Sequence, residues 1–290
     1  MKRIYGMPSG MDEAANIHPF DARLGMPVSQ RIRLITFWVL FISLLLVGFW
    51  RTGFFNLEKI AAGFLKLFTV AGFMFPPAHN GWFWEFANGI LETMAMAFLG
   101  TLLATLASIP LGFAGAKNII PNWLFHISFR RCFDCIRGVD SLIWALIFIN
   151  VVGLGPFAGI LAIAVADTGV LSKLFAEAIE NIDSKQVEGV RASGASSIQV
   201  MRFAIIPQVF PVILSNALYY FESNIRSATI LGVVGAGGIG LQLSDRIRVN
   251  NWDEACFIII MILVTVMVID TLSKEIRTRI INYSTQPGSA

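Results

Sequence analysis

The chain has 290 residues, of which 56% are hydrophobic and only 14% are charged, and its mean hydropathy is +0.68. Soluble domains average about 25% charged residues, so this composition excludes an ordinary soluble enzyme or binding module. The net charge of +3 gives no indication of a nucleic-acid partner, and three cysteines do not make a disulfide framework. Because the apolar residues come in long blocks, the sequence predicts an all-α polytopic protein surrounded by membrane lipid.

The first 86 residues are predicted to form a tail, one span and an external arm. Residues 1–33 are polar and basic and are expected to form a cytoplasmic tail. Residues 34–50 form an apolar run of about the minimum spanning length, with tryptophans near both ends as interface anchors. Residues 57–75 predict an amphipathic helix on the outer surface, followed by an aromatic belt that ends at Phe86. A further span over residues 57–75 is the alternative, and it would invert every later segment.

Residues 87–273 are predicted to form the core, which contains five further apolar segments. These segments are residues 87–113, 136–152, 157–175, 210–234 and 255–272. The first of them carries small residues suited to close helix packing, namely Gly100, Ala104, Ala107 and Ser108. Six spans in all place both termini on one side of the membrane, with residues 274–290 as a basic cytoplasmic tail. Most of the 22 Lys and Arg residues then lie on the cytoplasmic side, including those from Lys117 to Arg137.

A polar interruption, residues 188–207 (EGVRASGASSIQVMRFAIIP), separates two apolar segments of this core. Hydrocarbon cannot accommodate it, so it is expected in water or against another protein. The pattern predicts a short helix, a bend at Gly194, where glycine permits a positive φ, and a second short helix, with Pro207 ending the helical pattern. Glu188 could cap a helix start or pair with an arginine of a partner. The alternative is an ordinary cytoplasmic loop with a helix-capping acid.

The same stretch resembles the coupling loop of ABC-transporter permeases, the EAA motif. Glu188, Gly194 and Pro207 fall in register with that motif, whereas Gly189 and Val190 replace its two alanines. The resemblance implies that a loop of residues 183–207 contacts an ATPase. The coupling residues that it implies are Glu188, Gly189, Arg191, Gly194 and Pro207.

The second half of the chain also resembles the phosphonate-import permeases of bacterial ABC transporters. The segments that carry this resemblance are GLGPFAG, TGVLSKL, VEGVRASGA, IPQVFP, FESNIRSAT and VGAGGIG, which lie between residues 153 and 240. The resemblance implies a type I ABC importer permease fold and a homodimer in the bacterial inner membrane. It also implies one ATPase docked on each coupling loop, a periplasmic binding protein, and import of a phosphonate or a related oxyanion such as phosphite or phosphate.

The sequence contains no GxxxxGK[ST] phosphate loop. We therefore expect a transport subunit rather than an enzyme, with no cofactor on this chain and with ATP and Mg²⁺ on the separate ATPase.

The fifth predicted span carries polar residues, which are costly in hydrocarbon and indicate function. They are Glu222, Asn224, Arg226, Ser227 and Thr229. The guanidinium of Arg226 suits a phosphonate, because its planar fork donates two parallel hydrogen bonds to paired oxygens. The sequence therefore predicts a substrate pathway along this span. The alternative is an i,i+4 ion pair between Glu222 and Arg226 that only neutralises itself.

A glycine-rich segment, GAGGIG, follows this span directly. Its glycines, Gly235, Gly237 and Gly238 among them, predict a broken, re-entrant segment whose N–H groups face an anion or close a gate. A tight turn between spans is the alternative. The segment also matches GxGxxG, but a dinucleotide site needs a preceding strand in a βαβ unit, and a predicted span stands there instead.

The remaining titratable residues indicate no catalytic centre. Cys132 and Cys135 form a lone CxxC near His126, with too few ligands for a zinc site. Four acidic residues near span ends are expected to be solvated or helix-capping, with a proton relay as the alternative: Glu92, Asp140, Asp167 and Asp270.

Two alternative functions remain open for the chain as a whole. They are an ABC importer for another small solute and a secondary transporter that does not use ATP. Internal symmetry would favour the secondary transporter, and the sequence shows none.

Overall fold

The computed structural model describes residues 28–54, 56–120 and 123–285, and the regular elements in these ranges are helical. The predicted N-terminal tail up to residue 27 and the last five residues of the predicted C-terminal tail lie outside these ranges. The helices are α1 (Val28–Arg51), α2 (Leu57–Phe73), α3 (Phe83–Gly115), α4 (Trp123–Arg137), α5 (Ser141–Val152), α6 (Pro156–Glu180), α7 (Ser184–Ala192), α8 (Ser197–Val200), α9 (Ile206–Leu231), α10 (Gly238–Arg248) and α11 (Trp252–Thr285). The chain divides into two compact units, one up to Thr69 and one from Val70.

Five helical stretches in the described ranges are long and apolar enough to cross a membrane. They are Gln30–Arg51, Phe83–Gly115, Pro156–Glu180, Ser197–Ala236 and Trp252–Ile280. They confirm the first, second, fourth, fifth and sixth predicted spans. The predicted amphipathic helix after the first span is confirmed as α2, which has 17 residues. Its placement on the outer surface remains a prediction.

The third predicted span, residues 136–152, is wrong as a continuous helix. α4 ends at Arg137 and α5 begins at Ser141, with a bend of 79° between them. The break has a local cause, because Asp140 accepts a hydrogen bond from the Leu142 N–H at 2.9 Å and so starts a new helix. α5 has 12 residues, which is well short of the roughly 20 that a span needs. By length and composition, α4 and α5 together could form a sixth span among the described residues.

Small residues let α3 pack closely along α6. A Cβ added to Gly100 or Gly112 would lie only 2.7 Å from a side-chain atom of α6. Ala104 and Ser108 are buried, as the sequence predicts, whereas Ala107 is exposed. Close backbone approach of this kind stabilises helix pairs in lipid, where no hydrophobic driving force brings helices together.

The glycine-rich segment breaks the helix after α9 and starts α10. A π-helical turn, Gly232–Ala236, ends α9, and positive φ angles of 112° at Gly235 and 83° at Gly237 redirect the chain. α10 then crosses α9 with direct backbone contact, because a Cβ on Gly240 would overlap the carbonyl oxygen of Thr229. The segment is therefore a break between two packed helices, as predicted, rather than an open loop.

A buried ion pair ties α10 and α11 to the loop before α3. Glu254, which is 3% exposed, lies 2.9 Å from Arg246 and accepts a hydrogen bond from Asn80 at 2.9 Å. The guanidinium of Arg246 also lies over the ring of Phe86, 5.5 Å from its centroid. Phe86, which the sequence places in an exposed aromatic belt, is fully buried here, whereas Trp84 is exposed.

Gly240→Ala is expected to destabilise the crossing of α9 and α10, because the new methyl group meets backbone atoms rather than a flexible side chain. Overpacking of this kind costs roughly 1–3 kcal/mol, and a chain of 150–250 residues loses about 2–4 °C in Tm per kcal/mol. Thermal unfolding in detergent, followed by tryptophan fluorescence, measures the change. Gly189→Ala is the matched control, since no atom lies within 4 Å of a Cβ at that helical position. Equal melting temperatures for the two variants would contradict the close crossing.

Candidate functional site

The polar stretch between α6 and α9 forms two short helices joined by a glycine bend, as the sequence predicts. Asp183 caps α7 by accepting a hydrogen bond from the Lys185 N–H at 2.9 Å. Gly194 bends the chain with a φ of 83°. The helix-capping acid is therefore Asp183, and Glu188 lies inside α7 with its side chain exposed. We call residues 183–200 the α7–α8 element.

Pro207 does not end the helical pattern, so that part of the sequence prediction is wrong. After α8 the chain continues through a π-helical turn, Met201–Ile205, directly into α9, where Pro207 lies in the first turn. A proline ring disturbs a continuous α-helix, and the wider π-helical turn just before it accommodates the ring. The α7–α8 element is thus joined to α9 by helical backbone rather than by a flexible linker.

Hydrogen bonds fix the base of the α7–α8 element to neighbouring helix ends. The side chain of Gln208, in α9, accepts a hydrogen bond from the Asp183 N–H at 2.9 Å. Glu180, at the end of α6, accepts from the Lys117 N–H at 3.0 Å and pairs with Arg130 of α4 at 2.9 Å. The Gln208 contact connects the element to α9, and the Glu180 contacts connect the end of α6, just before the element, to α4 and to the loop after α3. No sequence pattern indicated the roles of Gln208 and Glu180.

The outer surface of the α7–α8 element carries charges without ionic partners. Within the described part of the chain, Lys185, Glu188 and Arg191 form no ion pair. Glu188 and Arg191 line a groove of about 620 Å³, whose other walls are α8, the π-helical turn after it, the end of α6 and the loop after α3. Ile198 of α8 is 78% exposed. An exposed apolar side chain next to unpaired charges of both signs is suited to contact another protein.

Arg226 of α9 belongs to a cluster of four charges. Its guanidinium lies 3.2 Å from both carboxylate oxygens of Asp270 on α11 and 3.8 Å from Glu222. Glu222 also pairs with Arg277 of α11 at 2.8 Å. The expected i,i+4 pair is therefore present, together with two partners from α11. The cluster is neutral as a whole, yet Arg226 keeps 48% of its side chain exposed.

Asn224 lies on another face of α9, in the core. Its amide donates to Thr101 Oγ1 on α3 at 2.8 Å and to a carboxylate oxygen of Asp167 on α6. None of these three residues is more than 8% exposed, so the expectation that Asp167 is solvated or capping is wrong. Ser227 and Thr229 are half-buried and donate to carbonyls of their own helix. The polar residues of α9 thus face in different directions.

The start of α10 is occupied by side chains of α3. Glu92 accepts a hydrogen bond from the Gly238 N–H at 3.0 Å, and Thr93 Oγ1 accepts from the Ile239 N–H at 2.9 Å. Glu92 is therefore helix-capping, as the sequence predicts. Because both N–H groups already have partners, they are not open to an anion in this arrangement, and a gating role for the segment remains a prediction.

The described ranges contain no cluster of three or more His, Cys, Asp or Glu side chains arranged to hold a metal ion. Cys132 and Cys135 are free and exposed on α4. His126 is buried on the same helix, with its Nδ1 atom 2.9 Å from the carbonyl oxygen of Gly115. The two cysteines and His126 therefore lie in different surroundings.

Residues 108–281 match the family described as binding-protein-dependent transport system inner membrane component. The chain is 35% identical over 262 residues to the putative phosphite transport system permease protein HtxC of Stutzerimonas stutzeri. The aligned region covers 90% of this chain and 92% of that protein. It is 46% identical over 121 residues to the putative cryptic phosphonate transport system permease protein PhnE2 of Escherichia coli K12, which covers 42% of this chain and 99% of that one.

The fold is similar to that of a solved ABC importer. The match is to an inward-facing conformation of the MetNI methionine ABC transporter, with a TM-score of 0.63 and 20% identity over 70% of this chain and 99% of that chain. The helical architecture is therefore that of a type I ABC importer permease. On the family match and the relatives together, the chain belongs to the binding-protein-dependent inner-membrane components, the permease subunits of ABC importers that work with a separate ATPase and a substrate-binding protein.

Proposed function

We propose that this permease imports a phosphorus oxyanion, which a periplasmic binding protein delivers and which crosses to the cytoplasm by alternating access. The observation that carries the mechanism is the α7–α8 element, whose base is bonded to the spans while its outer charges are unpaired. The substrate class is supported by relatives named as phosphite and phosphonate permeases. Phosphonate, phosphite and phosphate share the tetrahedral, anionic oxygens that a guanidinium binds.

Coupling follows from the way the α7–α8 element is mounted. ATP and Mg²⁺ bind to the partner ATPase, and the element lies in a cleft on its surface, with Glu188, Gly189 and Arg191 toward the partner. Gly194 sets the angle between the two short helices. Because α8 continues helically past Pro207 into α9, a displacement of the element reaches the span directly. Nucleotide-driven closure of the ATPases then changes which side of the membrane the pathway faces.

A homodimer with one ATPase on each copy accounts for the exposure of Arg226. A charged side chain within a predicted span is costly against lipid, yet 48% of the Arg226 side chain is exposed. A second copy of the chain would enclose this face in an aqueous cavity between the two permeases. There the guanidinium can turn from Asp270 and Glu222 toward an oxyanion. Ser227 and Thr229 add hydroxyls near the same level of α9.

The coupling role also sets the topology. The α7–α8 element must lie in the cytoplasm to meet the ATPase. If α4 and α5 together form one span, six spans place both termini on that same side, and the distribution of Lys and Arg agrees with this orientation. α2 then lies on the periplasmic side, and α10 with its glycine-rich start lies at the outer end of the pathway.

Glu188→Arg is expected to uncouple transport while the protein still inserts and folds, because the side chain is exposed and forms no ion pair with the other described residues. Breaking an interfacial charge pair costs about 2–5 kcal/mol, which corresponds to a loss of roughly thirtyfold or more. The measurement is ATP-driven uptake of labelled methylphosphonate into proteoliposomes that contain this chain, its ATPase and its binding protein. Glu275→Arg, at an exposed position of α11, is the control. Wild-type uptake by Glu188→Arg would exclude the coupling role.

Arg226→Ala is expected to abolish uptake of methylphosphonate, phosphite and phosphate while the complex with the ATPase still assembles. Arg226→Lys should transport at an intermediate rate, because it keeps the charge but loses the planar fork. Arg279→Ala removes an arginine whose ion pair with Glu275 is exposed and serves as the control. Wild-type uptake by Arg226→Ala would show that Arg226 does not bind the substrate and that its ion pairs are only structural. Uptake of methionine but of none of the three oxyanions would replace the proposed substrate class.

A further inference from the structure

Arg137 lies level with the middle of α6, although the distribution of Lys and Arg predicts a cytoplasmic position for it. It is in the last turn of α4, and the backbone there packs against Gly169 of α6. A Cβ on Gly169 would lie 3.0 Å from the Arg137 nitrogen and 2.9 Å from Ile136 Cγ2. Gly169 is next to the centre of α6, a helix of 25 residues that is about 37 Å long. Arg137 is therefore deep between the two ends of a span.

A row of charged residues on α4 shows why Arg137 is unpaired. The first member, Arg130, pairs with Glu180 of α6 at 2.9 Å. One turn further, Asp134 pairs with Lys173 of α6 at 2.8 Å. The third position along this row is Arg137, and the α6 residue that it meets is a glycine, which offers no charge.

Arg137 consequently carries an exposed and uncompensated charge. Its residue is exposed, and it forms no ion pair within the ranges that the structure describes. A lone guanidinium at this depth cannot remain against lipid, so it must face water or a ligand. Arg137 acts electrostatically on Asp134 of its own helix and on Tyr220 of α9. Asp140 lies three residues beyond it. Asp134 is already paired with Lys173.

The helix break at Arg137 is an independent observation that points to the same conclusion. α4 ends here, and three residues separate it from α5, which leaves at 79°. Non-helical backbone at membrane depth is tolerated where it is buried in protein or lines a water-filled cavity. Gly138 and Asp140, which flank the break, are both exposed. The break therefore lies at the surface of this chain rather than in its packed core, where a cavity between two copies could take it up.

We infer that Arg137 binds the transported anion directly at the α4–α5 break and so forms a second arginine site on the pathway. This inference rests on the proposed function and extends it to a residue outside α9. The ligand class is an oxyanion with at least two oxygens on one phosphorus, which matches the paired N–H donors of the guanidinium. Arg226 shares its charge with Asp270 and Glu222, whereas Arg137 brings a net positive charge to the pathway.

The first test compares Arg137→Gln with Arg131→Gln, an arginine of the same helix whose side chain is 80% exposed and lies one turn before Asp134. Uptake of methylphosphonate by the reconstituted complex should fall at least tenfold with Arg137→Gln and stay at the wild-type level with Arg131→Gln. Arg137→Lys should give an intermediate rate. Wild-type uptake that Arg137→Gln retains would overturn this inference alone. A wild-type complex that transports none of the three oxyanions would instead refute the proposed function, and this inference with it.

The second test measures whether position 137 faces water. Arg137→Cys is combined with Cys132→Ser, Cys135→Ser and Cys256→Ala, and the complex is treated with a small, water-soluble, anionic thiol reagent. We expect the thiol to react. A thiol that does not react would overturn the inference. Co-purification of the ATPase confirms that each variant is assembled.

Discussion

The constraint that governs this structure is the cost of an unpaired charge inside a bundle surrounded by lipid. Several ion pairs join different helices: Arg130 with Glu180 and Asp134 with Lys173 join α4 to α6, and the cluster around Arg226 joins α9 to α11. Because lipid is as apolar as the side chains, the hydrophobic effect does not fix the register of such helices. The ion pairs do fix it, since each one is satisfied at a single relative position of two helices.

Glycines supply the second kind of contact, and the α7–α8 element uses its glycine in a different way. Close backbone approach at Gly100 and Gly240 holds α3 on α6 and α10 on α9. In the α7–α8 element, Gly194 instead has nothing within 4 Å of a Cβ and serves only the bend. Gln208 of α9 secures the base through Asp183, while Glu188 has no ion pair among the described residues. Because its base is bonded to α9 and its outer face is free, the α7–α8 element is suited to transmit a movement of the ATPase to the spans of the permease.

The features of the fold and of the candidate site that could be predicted are those that depend on residues close together in the sequence. Five spans and the α7–α8 element follow from lengths of apolar runs and from one polar interruption, so the sequence predicts them well. The break before Asp140 also has a local cause, namely a glycine at 138 and a helix-capping acid at 140. Because the apolar run of residues 136–152 is long enough to suggest a span, this local cause was not recognised in the sequence. The burial of Asp167 depends on Asn224, and the setting of Arg226 depends on Asp270. Such partners are distant in sequence, and no local pattern reveals them.

Arg226 and Arg137 differ in the ion pairs that an anion must displace in order to bind, and this difference affects how strongly each would hold a transported anion. At Arg226 an oxyanion competes with two carboxylates that already accept the charge of the guanidinium, so binding there is weakened by that competition. At Arg137 the facing residue of α6 is Gly169, and Asp134 is already paired with Lys173, so an anion displaces no ion pair of this arginine among the described residues. A pathway must bind its substrate strongly enough to admit it and weakly enough to release it. One free and one shared arginine on the same subunit meet both requirements, provided that the movement of the spans passes the anion from one site to the other.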